Sequence, residues 1–192
     1  MGARTPGVRG TDVLDGYVRV LARAGYAATS PELVALELGV PVDEVRGAIP
    51  PDDLLPALAA HVRNAYGQAI RASIAARPPE ARLDGILDLV MLETEPFASS
   101  GFAAAISELA AAATRNLAAA HALREIYCEF ELMTDMELAA LIPGADPRAR
   151  REVAFAIMAL AYSAPDFATM GFPEDRVHAL RAAAGRLIDT LR

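Results

Sequence analysis

Residues 29–49 read TSPELVALELGVPVDEVRGAI, and the punctuation is that of two short helices. Thr29 and Ser30 are both good N-caps, Pro31 suits the first helical position, and Glu32 stands three residues after Thr29 as in a capping box. The pattern predicts a helix ending at Leu38. Gly39 can adopt the positive φ of a tight turn, and Ala35 is small enough for close helix packing. Pro41 and the acidic pair Asp43 and Glu44 then open a very short helix to Ile49, favoured by the helix dipole, with Val45 and Ile49 at its core-facing positions. Two short helices joined by a glycine turn form a helix-turn-helix.

Upstream, Met1 to Gly10 lack hydrophobic periodicity and read as a flexible arm. From Thr11, the residues Val13, Leu14, Tyr17, Val18, Val20, Leu21 and Ala24 recur at helical spacing until Gly25 stops the run. Downstream, Pro50 and Pro51 break the chain. Asp52 caps a long helix carrying Leu54, Leu55, Leu58, Val62, Tyr66, Ala69 and Ile70, which Pro78 and Pro79 end. Further helices are expected near Leu83–Thr94, Phe102–Ala113, Arg115–Ile142, Pro147–Met170 and Pro173–Leu191. No alternating apolar run of the kind a sheet needs is present, so the fold class is all-α. The expected organisation is an arm over 1–10, a three-helix N-terminal domain over 11–51, and a larger helical domain over 52–192.

All 18 basic residues among the 192 are arginine, and the net charge is -7. Residues 1–70 hold six arginines against eight acids, so even the helix-turn-helix end is net negative. Bulk electrostatic coating of nucleic acid is thereby excluded, and any DNA contact must be local. Cys128 is the single cysteine, which allows no intramolecular disulfide and is expected to be a small buried hydrophobe. The longest uncharged run, Val153 to Pro165, falls short of the roughly 20 apolar residues of a membrane span. No membrane partner and a cytoplasmic location are expected.

The first third of the chain resembles the TetR family of transcription regulators. Thr11 to Gly25 matches its opening helix, Gly25-Tyr26 its Gly-aromatic turn, Thr29 its frequently placed threonine, and Val34-Ala35-Leu36-Glu37-Leu38-Gly39-Val40 its Ile-Ala-x-x-Ala-Gly-Val pattern. The resemblance implies a DNA-binding helix-turn-helix domain carried by a helical ligand-binding and dimerisation domain. It implies double-stranded operator DNA as partner, met by Thr29, Val42, Asp43, Arg46 and Gly47. The third helix departs from the family: Arg46 replaces an aromatic residue, Gly47 weakens the helix, and Asp43 and Glu44 bring negative charge toward phosphates.

In the larger domain, Leu123, Ile126, Tyr127, Phe130, Met133, Leu138 and Leu141 form an apolar stripe, and Thr134 and Glu137 share that face by the 3.6-residue period. A carboxylate there calls for a ligand donor, an internal arginine or contact with water. With Met91, Thr94 and Phe97 from neighbouring helices, Phe130, Met133, Thr134 and Glu137 are the candidate lining of a site for a hydrophobic small-molecule effector. Val153 to Ala164 is apolar all round, which calls for cover by a second subunit. Phe155, Met158, Tyr162, Ala179, Ala183 and Arg186 are the candidate homodimer face.

His121, Glu125 and Cys128, at i, i+4 and i+7, share a helix edge, but no second cysteine or histidine cluster completes a metal site. No metal or cofactor is expected. No phosphate loop and no nucleophile or zinc-protease motif occurs, so no catalytic residue is assigned and no enzyme is expected. The function expected is that of a ligand-responsive, dimeric repressor on a palindromic operator. The alternative keeps the scaffold without DNA recognition, as a small-molecule or partner-binding protein or a repurposed enzyme.

Overall fold

The computed structural model describes residues 8–92 and 101–192. Among them every regular element is helical: α1 Gly10–Ala24, α2 Pro31–Leu38, α3 Val42–Ala48, α4 Leu54–Ala75, α5 Pro79–Met91, α6 Phe102–Ala113, α7 Leu117–Leu141, α8 Pro147–Thr169 and α9 Glu174–Asp189. Short 3-10 turns cover Tyr26–Ala28 and Pro51–Asp53. The all-α class read from the sequence is therefore the class observed. No helix among the described residues is long and apolar enough to cross a membrane.

The chain forms two compact units, one drawn from Met1–Asn64 and Gly101–Arg124, the other from Ala65–Ser100 and Glu125–Arg192. In the first, α1 buries Val13, Tyr17, Val18, Val20 and Leu21 and packs against α2 and α6. Gly16 stands where α1 meets α2; a Cβ there would lie 3.1 Å from the side chains of Val34 and Leu38. Gly25 closes α1 at φ 80°. The turn behind it is tied down from α6, because the Tyr26 amide donates to the Glu108 carboxylate at 2.9 Å.

In the second unit, α5, α8 and α9 pack on one another. Arg181 of α9 grips α5 with two carboxylates, donating to Asp84 at 2.6 Å and to Asp88 at 2.9 Å. Arg150 of α8 is held by Asp135 of α7 at 2.6 Å. The buried face of α8 consists of Val153, Ala154, Ile157, Met158, Ala161 and Ala164, while Phe155 is 57% exposed. Phe155 and Met158 thus face opposite environments. Tyr162 turns its ring into the unit's own aromatic cluster.

Candidate functional site

The helix-turn-helix is built as its sequence dictates, with the two capping candidates dividing the work. Ser30 is the N-cap of α2, its hydroxyl accepting from the Leu33 amide at 3.4 Å. The Thr29 hydroxyl instead donates back to the Gly25 carbonyl at 2.8 Å. Gly39 ends α2 in the left-handed region at φ 67°, and the Val40 amide returns to the Ala35 carbonyl at 3.1 Å. Val34, Ala35, Val45 and Ile49 are buried, which fixes the roll of α3 and leaves Asp43, Glu44, Arg46 and Gly47 exposed. Val42 and Thr29 are half-buried.

The charges on this surface are already engaged. The Arg46 guanidinium donates to the Glu32 carboxylate and stands 4.0 Å from Asp43. Glu32 is held below the usual carboxylate range by its own backbone amide, then by the Ser30 hydroxyl and Arg46, so it stays ionised and keeps its grip at neutral pH. Arg19 and Arg23 both donate to Glu37, at 3.0 and 2.9 Å, and depress its pKa in that order. Arg9 is paired with Asp12 at 2.8 Å. An incoming phosphate must therefore compete with carboxylates for these guanidiniums.

The second unit holds two features of a different kind. Tyr66, Tyr127, Phe130 and Tyr162 form an aromatic cluster, with Tyr127 and Tyr162 centroids 4.1 Å apart and Phe130 edge-on to Tyr162 at 5.7 Å. The Tyr162 hydroxyl is buried there and meets no partner in hydrogen-bond geometry. Burial first, and next the neighbouring Tyr66 phenol, push its pKa well above the ordinary tyrosine value. Burial and then Asp166 push Tyr127 up to about 12.

Along the same helices lies an open pocket of about 410 Å³, lined by Arg71, Ile74 and Ala75 of α4, Arg82 of α5, and Met133, Met136 and Glu137 of α7. Met133 and Glu137 are the two candidate ligand residues that this pocket brings together. Phe130 and Thr134 are fully buried beneath that face, and the Thr134 hydroxyl is satisfied within its own helix by the Phe130 carbonyl at 2.9 Å. Met91 is a core residue, 1% exposed. Thr94 and Phe97 lie outside the described residues.

Arg71, Ile74 and Arg82 are not legible from the sequence, because α4 and α5 meet α7 only in the folded unit. Glu137 shares its pocket with Arg71 and Arg82.

Of the candidate dimer face, Phe155, Ala179 and Arg186 are exposed and Ala183 is half-buried, whereas Met158 is buried and Tyr162 is half-buried with its ring in the aromatic cluster of the second unit. Cys128, expected from its residue type to be buried, is exposed. On α7 the inward positions are Ile126, Phe130, Thr134 and Leu138, and Cys128 falls on the outward side with Leu132 and Met136. Among the described residues no three metal-ligand side chains converge.

No protein-family model and no curated protein matches the sequence. Solved structures do match. A TetR transcription regulator from Haloarcula marismortui superposes with a TM-score of 0.74 at 20% identity, covering 95% of this chain and 97% of that one. A transcriptional regulator from Rhodococcus sp. Rha1 gives a TM-score of 0.72 at 18% identity over 95% and 97% of the two chains. The multidrug binding protein EbrR, solved with imidazole and again with malachite green, gives 0.63 at 22% identity; in the imidazole complex 94% of each chain is covered. With the capped α2, the left-handed Gly39 and the buried roll of α3, this likeness over nearly the whole length establishes that the chain has the fold of the TetR-type transcription regulators.

Proposed function

We propose that the protein is a ligand-responsive transcription regulator of the TetR type, a cytoplasmic repressor that holds a palindromic operator as a homodimer. The observation that carries this reading is the α2–Gly39–α3 turn, whose core-facing residues leave Val42, Asp43, Arg46 and Gly47 on one side of α3, with Thr29 beside the start of α2. Two such heads related by a two-fold axis would meet half-sites about 34 Å apart or a multiple of it. The dimer contact falls to Phe155, Ala179, Ala183 and Arg186, since Met158 is buried in the subunit's own core and the half-buried Tyr162 packs its ring on Tyr127. A hydrophobic effector in the second unit lowers operator affinity by binding the DNA-incompetent state more tightly. That EbrR was solved with small molecules supports an effector site in this fold.

A second reading is favoured by the engagement of Arg46, the single cation of α2 and α3, with Glu32. On that reading the scaffold has lost DNA recognition and serves as a small-molecule or partner-binding protein. Fluorescence anisotropy with the DNA upstream of its own gene, across a salt series, separates the two. The repressor reading expects saturable binding at low salt that weakens in Arg46→Ala. It also expects Glu32→Gln, which releases Arg46, to tighten binding and steepen the log K against log salt slope by up to about 1. A folded dimer with no specific shift at low salt, and no gain in Glu32→Gln, would leave only the second reading.

A further inference from the structure

The pocket of the second unit carries a sharper assignment than hydrophobic effector. Two guanidiniums and one carboxylate stand on a lining that is otherwise Ile74, Ala75, Met133 and Met136. The charges do not cancel one another across the pocket. Arg71 leans away toward Glu129, at 3.6 Å. Arg82, half-buried, makes only a long contact of 3.5 Å from its Nε to the Arg77 carbonyl. Among the described residues, neither Arg82 nor Glu137 has an ion-pair partner within 4.0 Å.

We propose that this pocket takes an amphipathic carboxylic acid bearing a hydroxyl or amide N–H close to the acid group. Its carboxylate lies on the Arg82 fork, its donor on Glu137 and its chain against Ile74, Met133 and Met136. The proposal deepens the effector-binding reading of this unit.

Three physical points select that class. Among the described residues Arg82 is the lining guanidinium without an ion pair, and its planar fork matches a carboxylate with two parallel hydrogen bonds, so an acid finds a geometrically matched seat there. An ionised Glu137 accepts and never donates, so a ligand that covers it must bring an O–H or N–H or leave a charge buried without a partner. Met133 and Met136 are unbranched and adapt to a flexible chain, and Met136 stands 61% exposed at the pocket, apolar surface that a chain would cover. The volume falls within the range of about 300–1,000 Å³ usual for small-molecule sites.

Isothermal titration calorimetry of the full chain tests this with four ten-carbon probes below their micelle concentrations: 3-hydroxydecanoate, decanoate, decanol and decyltrimethylammonium. The hydroxy acid should bind most tightly, decanoate about tenfold more weakly, decanol about tenfold more weakly again, and the cation not at all. Arg82→Gln should erase the gap between decanoate and decanol, and Glu137→Gln should narrow the gap between the hydroxy acid and decanoate. Met133→Trp, which fills the pocket, should abolish all binding while keeping the helical circular dichroism spectrum.

Equal affinity for the four probes, preference for the cation, absence of any binding, or a folded Arg82→Gln protein that keeps its acid preference would overturn the assignment. Should Arg82→Gln not fold, the probe ranking on the unaltered protein decides the matter. Calorimetry reads the ligand directly, so acid binding without an operator shift counts against the repressor reading alone. An operator shift without acid preference counts against this assignment alone.

Discussion

Around α1 to α3 the arginines are engaged with the unit's own carboxylates, whereas the second unit leaves a guanidinium and a carboxylate facing an open pocket and buries a phenol without a partner. The first unit is locally consistent: caps, turn glycine, core positions and surface pairs agree, as in a segment whose job is to hold a shape. The second departs from that consistency at the Tyr162 hydroxyl and at the unpaired charges of its pocket. Departures of this sort gather where a protein meets something else. Packing in the second unit offers the greatest leverage on this contrast. Phe130 is fully buried and meets the rings of Tyr66 and Tyr162. Phe130→Ala should lower stability by about 3–5 kcal/mol in urea unfolding. A loss near the surface-substitution range would mean that the cluster is loosely packed and that its orphaned hydroxyl is no anomaly.

Legibility in the sequence follows the same division. Several features of the head that depend on a few consecutive residues are open to reading: the α2 start, the Gly39 turn and the buried Val45 and Ile49. Which of Thr29 and Ser30 caps is not, because the answer depends on the Gly25 carbonyl arriving within 2.8 Å of Thr29. Glu108, which ties the Tyr26 amide, lies 82 residues from its partner and carries no local signal. In the second unit the helical period places Met133 and Glu137 on one face with Phe130, yet it gives Cys128 no side, and the exposed position is set by which face of α7 the other helices cover. Arg71 and Ile74 lie beyond the apolar run that ends at Ile70, and nothing local marks them for the pocket. Arg82 is equally unmarked.

The head's consistency has its own probe in a pair of glycines. Neither Gly39 nor Gly47 has any atom within 4 Å of an added Cβ, so space plays no part and backbone alone decides. Gly39 is left-handed at φ 67°, and Gly39→Ala should cost about 1–2 kcal/mol. Gly47 sits within α3, where Gly47→Ala should stabilise by roughly 0.5–1 kcal/mol. Denaturant midpoints moving in the same direction for both would break the claim that local conformation governs this unit.

An effect of similar size is the most specific to the second unit. An unsatisfied buried hydroxyl is unfavourable, so Tyr162→Phe should raise stability by about 1 kcal/mol at neutral pH. A loss instead would mean that the hydroxyl has a partner, such as a buried water. The same phenol bears on alkaline stability. Tyr127 is pushed up to about 12 and Tyr162 well above its ordinary value, while an unfolded tyrosine titrates near about 10. Because the folded state holds these protons more tightly than the unfolded state, their contribution is complete below the unfolded pKa and is lost as the pH rises through the folded ones. Alkaline unfolding should therefore set in above about pH 10. Replacing both Tyr127 and Tyr162 by phenylalanine should move its onset upward in circular dichroism. An unchanged onset would place the alkali-sensitive groups elsewhere and remove the aromatic cluster as the electrostatic contrast between the two units.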